Sequence, residues 1–180
     1  MHVVLVGASH HRTPVELRER LAFGAEPGAD LASRLAGAGG EAVALSTCNR
    51  SCLYLAHPDP DAARSLAVAA LSALSGLPEE ELEPALYVKL DGDAARHLFG
   101  VAAGLDSMIP GEAQILGQVR LAWEAAVAEG ATGVVLNRLF RQALHVGKRV
   151  RTETSIGENP ASVSSAAAEL AASVDRKSVV

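Results

Sequence analysis

Aromatic side chains are scarce: three Phe, two Tyr and one Trp make up 3% of the 180 residues. Platforms that stack the bases of single-stranded nucleic acid need several such rings, so that class is excluded. Cysteine is as sparse, with Cys48 and Cys52 only. Two thiols four positions apart cannot frame a disulfide-stapled fold, and C-x-x-x-C is not the spacing of a redox pair. No apolar run approaches the length of a membrane span, and Met1-His2-Val3-Val4-Leu5-Val6-Gly7 lacks the basic start and cleavage site of a secretion signal. We therefore expect no membrane segment and a cytoplasmic location. Cations are in the minority, with 16 Lys and Arg against 21 Asp and Glu and a net charge of -5. A protein that coats nucleic acid indiscriminately is excluded, although a local basic face is not. What is present, 49% hydrophobic and 21% charged residues, describes a globular protein with one sizeable domain and a small extra piece.

The apolar run at residues 2–8 reads as a buried strand, and Pro14 opens a helix over Val15-Glu16-Leu17-Arg18-Glu19-Arg20-Leu21. Residues 29–37 suit a short helix stopped by the glycines at 37, 39 and 40. Residues 41–46 and 52–56 read as strands flanking the polar turn Thr47-Cys48-Asn49-Arg50-Ser51, which places Cys48 at a strand end. An alanine-rich helix is predicted over 58–75 and a fourth strand over 86–90. Beyond residue 91 the pattern is helical: 93–103, then a series from Ile115 to Val127, then Leu136, Leu139, Ala143, Val146 and Val150. Asn159 and Pro160 suit the cap and first residue of another helix through the small residues of 161–174. Residues 176–180 read as the start of a strand, giving the chain the look of a truncated protein. No glycine-rich nucleotide loop interrupts the series. The fold class that follows is α+β, an antiparallel sheet packed by helices and followed by a helical segment.

Cys48 stands in Ser46-Thr47-Cys48-Asn49-Arg50, where polar groups and one cation crowd a sulfur. A thiol becomes a nucleophile at neutral pH when a nearby positive charge or backbone N–H groups stabilise its thiolate, and Arg50 is the available charge. A buried, inert cysteine is the ordinary alternative. Cys52 falls in the next strand, where core packing is its expected role. His10 and His11 complete a zinc set with the cysteines on paper, with no second paired motif to support it. His97 is either a structural histidine or a catalytic one. Glu112, where Gly111 and Glu112 open a helix, either caps the positive end of the dipole or contacts an amine. Arg138, Arg141, His145 and Arg149 recur at intervals of three and four opposite the apolar stripe of their helix. That strip is either a solvated face or a surface that meets phosphates.

Six segments stand in a particular order and spacing. They are Gly7-Ala8-Ser9-His10; Pro14-Val15-Glu16-Leu17-Arg18-Glu19; Ser46-Thr47-Cys48-Asn49-Arg50; His97-Leu98-Phe99 through Gly104-Leu105-Asp106-Ser107; Gly111-Glu112-Ala113-Gln114-Ile115-Leu116-Gly117-Gln118-Val119-Arg120; and Lys148-Arg149-Val150-Arg151-Thr152-Glu153-Thr154-Ser155-Ile156-Gly157 followed by Ser162-Val163-Ser164-Ser165-Ala166. Together, across nearly all of the chain, they resemble the glutamyl-tRNA reductase family. His10-His11-Arg12-Thr13-Pro14, Ser51-Cys52 and Pro110 depart from the usual family pattern without touching Cys48, Arg50, His97 or Ser107.

The resemblance implies a catalytic, glutamyl-tRNA-binding domain over 1–155, with 156–180 beginning a long spinal linker helix that leads to an NADPH-binding Rossmann domain absent from this sequence. It implies NADPH-dependent reduction of glutamyl-tRNA to glutamate-1-semialdehyde, the tetrapyrrole and haem precursor, through a thioester on Cys48. This chain is expected to retain the acylation or esterase half. Cys48 and His97 are the implied catalytic residues, with His97 as general base or orienting group. Thr47, Asn49, Arg50, Ser107, Glu112, Gln114 and Gln118 are the implied substrate contacts, and Arg50 would grip a substrate carboxylate through a two-bond fork. No metal is implied. Implied partners are glutamyl-tRNA, a second copy in a homodimer and the downstream glutamate-1-semialdehyde aminomutase. The alternative is a noncatalytic α+β module that binds tRNA or a regulatory partner.

Overall fold

The computed structural model describes residues 1–112 and 114–157. The helix expected over 161–174 and the strand expected over 176–180 lie outside the described residues. Four strands form one sheet: β1 (His2–Ser9), β2 (Glu41–Thr47), β3 (Arg50–His57) and β4 (Tyr87–Leu90), in the order β2-β3-β1-β4 with every neighbouring pair antiparallel. The α+β class is as expected. β1 and β3 are the inner strands, and both are buried along nearly their whole length. That burial explains why they read as unbroken apolar runs rather than an alternation.

Helices α1 (Val15–Arg20), α2 (Ala25–Ala36) and α3 (Pro60–Ser75) fill the first half of the chain, with a single turn α4 (Glu79–Leu82) leading into β4. Three longer helices follow: α5 (Asp91–Ala103), α6 (Gln114–Ala128) and α7 (Val134–Glu153). Helix α3 shows its ends in the sequence. Asp59 caps it by accepting from the N–H groups of Asp61 and Ala62 at 2.9 and 3.2 Å, Pro60 occupies the first turn, and Gly76 closes it at φ 67°.

Several boundaries differ from the sequence reading. Helix α2 begins at Ala25 rather than 29, because Pro27 falls in its first turn, where a missing N–H costs nothing. The turn between β2 and β3 shrinks from five residues to two, Cys48 and Asn49, because Thr47 and Arg50 pair across the hairpin. Gly111 and Glu112 do not open a helix: Gly111 is left-handed at φ 86°, and α6 starts at Gln114. In α7 the buried stripe is Leu136, Phe140, Ala143, Leu144 and Gly147, not the series through Leu139, Val146 and Val150. Phe140 turns toward the sheet and meets the edge of Tyr54 at 5.4 Å between ring centres.

Helix α7 lacks a capping side chain of its own, with Gly133 at that position. Glu41 at the start of β2 supplies one from a distance. Its two carboxylate oxygens accept from the N–H groups of Val135 and Leu136 at 3.0 and 2.7 Å, satisfying two orphan donors and placing a negative charge at the positive end of the helix. At the other end, Gly147 lets α7 press on α5; an added Cβ there would stand 2.6 Å from the Ala102 carbonyl. The helix thus runs from one end of the sheet to the loop that follows α5.

Candidate functional site

The β2–β3 hairpin presents Cys48 at its tip, exposed to solvent. The turn is pinned from three sides. Arg18 Nη1 donates to the Cys48 carbonyl at 3.0 Å, the His10 N–H donates to the Asn49 carbonyl at 3.0 Å, and the Asn49 N–H donates to Thr47 Oγ1 at 3.2 Å. Thr47 and Asn49 therefore shape the turn from within, and Asn49 is buried. A thiol on a short turn whose carbonyls are already bound stands in a fixed position, which a nucleophile requires.

Strand alternation sends Arg50, Cys52 and Tyr54 to the same face of β3. Arg50 is the largest fully buried side chain of the chain's described part. Its Nη1 donates to Asp106 Oδ2 and its Nη2 to the Asp106 backbone carbonyl, while Nε has no partner among the described residues. Asp106 stands in the loop between α5 and α6, and also accepts from His11 Nε2 at 2.9 Å. Burial alone would raise the Asp106 pKa; the Arg50 charge and the bonds from Arg50 and His11 outweigh it and hold the carboxyl below its ordinary value.

His97, on α5, sits between two tyrosines, with Tyr54 Oη 2.9 Å from Nδ1 and Tyr87 Oη 3.2 Å from Nε2. A neutral imidazole donates from one nitrogen and accepts at the other, so this pair of hydroxyls satisfies it fully. Burial, and after it the charge of Arg50, depress its pKa to about 4; Asp106 at 3.7 Å opposes the shift without overcoming it. His97 is thus a neutral, fixed hydrogen-bonding group at ordinary pH and a weak base. Tyr87 also reaches Cys52 Sγ at 3.2 Å. Gly7 makes that approach possible, since a Cβ there would lie 2.9 Å from Tyr87 Oη and 3.2 Å from Cys52 Sγ. Cys52 is fully buried, and desolvation pushes its thiol up to about 11, so it is an inert core residue in chemical terms.

Beside this cluster opens a cavity of about 340 Å³ whose lining includes His11, Arg12, Tyr87, Lys89, His97 and Asp106. Arg12 and Lys89 on its wall, set against the carboxylate of Asp106, suit it to an anionic group. Ser107 follows Asp106 and is half-buried. Glu112 offers its backbone carbonyl to Arg151 Nη2, Gln114 is exposed at the start of α6, and Gln118 lines, with Ser46, a groove of about 230 Å³ between α2 and α6. The structure brings Thr47, Cys48, Asn49 and Arg50 together at the hairpin and couples Arg50 to His97 through Asp106. Among the described residues no side-chain hydrogen bond joins Ser107, Glu112, Gln114 or Gln118 to that group. Asp106, Tyr54 and Tyr87 belong to the cluster although sequence reasoning gave them no role, and His11, considered there only for a zinc set, joins it through Asp106. Asp106 lies in the fourth of the six ordered segments, but its 56-position separation from Arg50 leaves no local signal. Among the described residues no group of three or more His, Cys, Asp or Glu is arranged to hold a metal, so the zinc set drawn from His10, His11 and the cysteines does not form there.

An exposed cysteine on an anchored hairpin turn, together with a buried arginine joined to a histidine through a partly exposed aspartate, marks an α+β domain with an antiparallel sheet. Its relatives make the class specific. The family model described as glutamyl-tRNAGlu reductase, N-terminal domain, matches residues 6–154, and the chain belongs to that family. A glutamyl-tRNA reductase of Marinobacter nauticus is 50% identical over 173 residues, 95% of this chain and 40% of that protein. One of Magnetococcus marinus is 47% identical over 173 residues, with 95% and 41% covered. The solved structure of glutamyl-tRNA reductase from Methanopyrus kandleri superposes with a TM-score of 0.72 at 36% identity, covering 94% of this chain and 39% of that one. The chain spans about two fifths of the length of these relatives.

Proposed function

We propose that this chain is the aminoacyl-accepting domain of a glutamyl-tRNA reductase, in which Cys48 takes glutamate from its tRNA ester. The observation that carries the reading is the exposed Cys48 thiol on a turn pinned by Arg18, His10 and Thr47, in a chain that belongs to this family. Cys48 gives up its proton to solvent, the thiolate sulfur attacks the ester carbonyl, a carbon–sulfur bond forms as the carbon–oxygen bond to the ribose breaks, and the ribose oxygen takes a proton back from solvent. The product is a glutamyl thioester on Cys48.

Arg50 has five N–H donors, and Asp106 engages two of its nitrogens. Nε and the outer hydrogens are the donors left for a substrate carboxylate, which reaches them only once the buried guanidinium is uncovered, with Asp106 fixing its plane. His97, neutral and held by Tyr54 and Tyr87, serves as an orienting group rather than the base that takes the thiol proton. Thr47, Asn49, Ser107, Glu112, Gln114 and Gln118 supply the remaining polar contacts.

Reduction of the thioester to the aldehyde needs a hydride, which NADPH supplies in the reading proposed. A dinucleotide sits on a parallel βαβ unit with a glycine-rich turn, and the all-antiparallel sheet offers none among the described residues. No reductive step is therefore assigned to these side chains.

Incubation of the chain with glutamyl-tRNA, followed by intact-mass and peptide analysis, should show a glutamyl adduct on Cys48 or accelerated ester hydrolysis. Cys48→Ser should show neither. Ester cleavage undiminished in that variant, or an adduct confined to Cys52, would overturn the reading.

A further inference from the structure

Helix α7 carries Arg138, Arg141, Lys148, Arg149 and Arg151 against one carboxylate, Glu153, in a chain of net charge -5. Arg138, Arg141, Gln142, His145, Lys148 and Arg149 are all exposed, and their spacing gathers them on one face, opposite the buried stripe. Arg149 is held by Glu153 through Nε and Nη2 at 2.8 and 2.9 Å. Among the described residues no carboxylate pairs with Arg138, Arg141 or Lys148.

Order distinguishes this face from an ordinary solvated one. The Arg141 guanidinium lies 5.7 Å from the centre of the Trp123 ring, and Trp123 is fixed by donating from Nε1 to Asn137 Oδ1 at 2.8 Å. At the start of α7 a concavity of about 670 Å³ is lined by Gly133, Val134, Asn137, Arg138, Arg141 and Gln142. Two guanidiniums and two amides with no carboxylate form a donor-rich surface that suits phosphate oxygens.

The strip also leads somewhere. From Arg138 to Arg149 the helix rises about 16 Å at 1.5 Å per residue. Its far end packs on the loop that carries Asp106: Arg151 holds the Glu112 carbonyl, and Gly111 fits only as glycine beneath the Ile156 carbonyl. A polyanion lying along the strip is thereby directed toward the end of the sheet where Arg50 and Cys48 stand. Val134 is the one exposed aliphatic on the described α7 face, too little for insertion into a lipid surface, which needs an apolar face beside the charges.

We infer that the exposed face of α7 is a track for the phosphate backbone of the RNA whose aminoacylated end reaches Cys48. The inference rests on the proposed function for its partner and locates where that partner lies. The probe is uncharged tRNA, titrated by fluorescence anisotropy against the chain at several salt concentrations. In the triple variant Arg138→Glu, Arg141→Glu, Lys148→Glu we expect affinity to fall at least about tenfold at low salt, and the slope of log affinity against log salt to shrink by about 2–3, near 0.9 per lost phosphate contact. The charge-preserving variant Arg138→Lys, Arg141→Lys should keep the salt slope. Unchanged affinity and slope in the charge-reversed protein would overturn the inference. So would charge-dependent binding to phosphatidylserine–phosphatidylcholine vesicles with no effect on tRNA.

Failure of this track and failure of the proposed function are separable. A small activated thioester of glutamate needs no RNA contact, so the charge-reversed variant should acylate on Cys48 from it at the wild-type rate. Acylation intact with RNA binding unaltered sinks the track alone. RNA binding lost as expected, with no acylation of Cys48 in the wild-type chain, sinks the proposed function alone.

Discussion

The depressed pKa of His97 makes a quantitative claim about stability. In the unfolded chain the imidazole titrates near 6.5, whereas in the fold it titrates near 4. Between those values the unfolded state binds a proton that the native state refuses, so acid favours unfolding. The contribution of the neutral, tyrosine-bound ring is complete above the unfolded pKa and drains away as pH falls through the folded one. A difference of roughly 2.5 pK units corresponds to about 3 kcal/mol in full, of which about 2.5 kcal/mol is lost between about pH 7.5 and pH 4.5. Acid acts on the rest of the chain as well, so the informative quantity is a difference between two proteins. Urea unfolding of the wild-type chain and of His97→Gln at both pH values isolates the term. Glutamine does not ionise and retains a donor and an acceptor for Tyr54 and Tyr87. The variant should be less stable at neutral pH, yet lose about 2–3 kcal/mol less on acidification than the wild type. Equal losses in the two proteins would show that His97 is not held neutral by its surroundings, and the assignment of His97 as a fixed orienting group would go with it.

Asp106→Asn leaves the fully buried Arg50 guanidinium without its counter-charge. We expect a loss of about 2–4 kcal/mol in denaturant unfolding, below the fully buried case because Asp106 is partly exposed, and an unchanged midpoint would show that the pair is not coupled in solution. Glu41→Ala removes both acceptors from the start of α7 and should cost about 1–2 kcal/mol. Faster amide exchange at Val135 and Leu136 should accompany it, and protection at wild-type levels there would refute the remote cap.

Much of the architecture is local chemistry and was therefore legible in the chain. The apolar runs of β1 and β3, the Asp59-Pro60 opening and Gly76 closing of α3, and the polar turn holding Cys48 are each fixed by residues within a few positions of one another. So was the different setting of the two cysteines, since Cys48 falls in a turn and Cys52 in a strand. The six ordered segments carried the family as well. What only tertiary structure decided is which charges meet. Arg50 finds Asp106 across 56 positions, Glu41 reaches α7 across 94, and His97 is enclosed by tyrosines 43 and 10 positions away. None of these pairings follows from helical or strand periodicity, because each depends on how the sheet and helices close on one another. The physical reason is that a side chain's pKa and its availability to a substrate are set by desolvation and neighbouring charge, and those are properties of the packed chain, not of its order of residues.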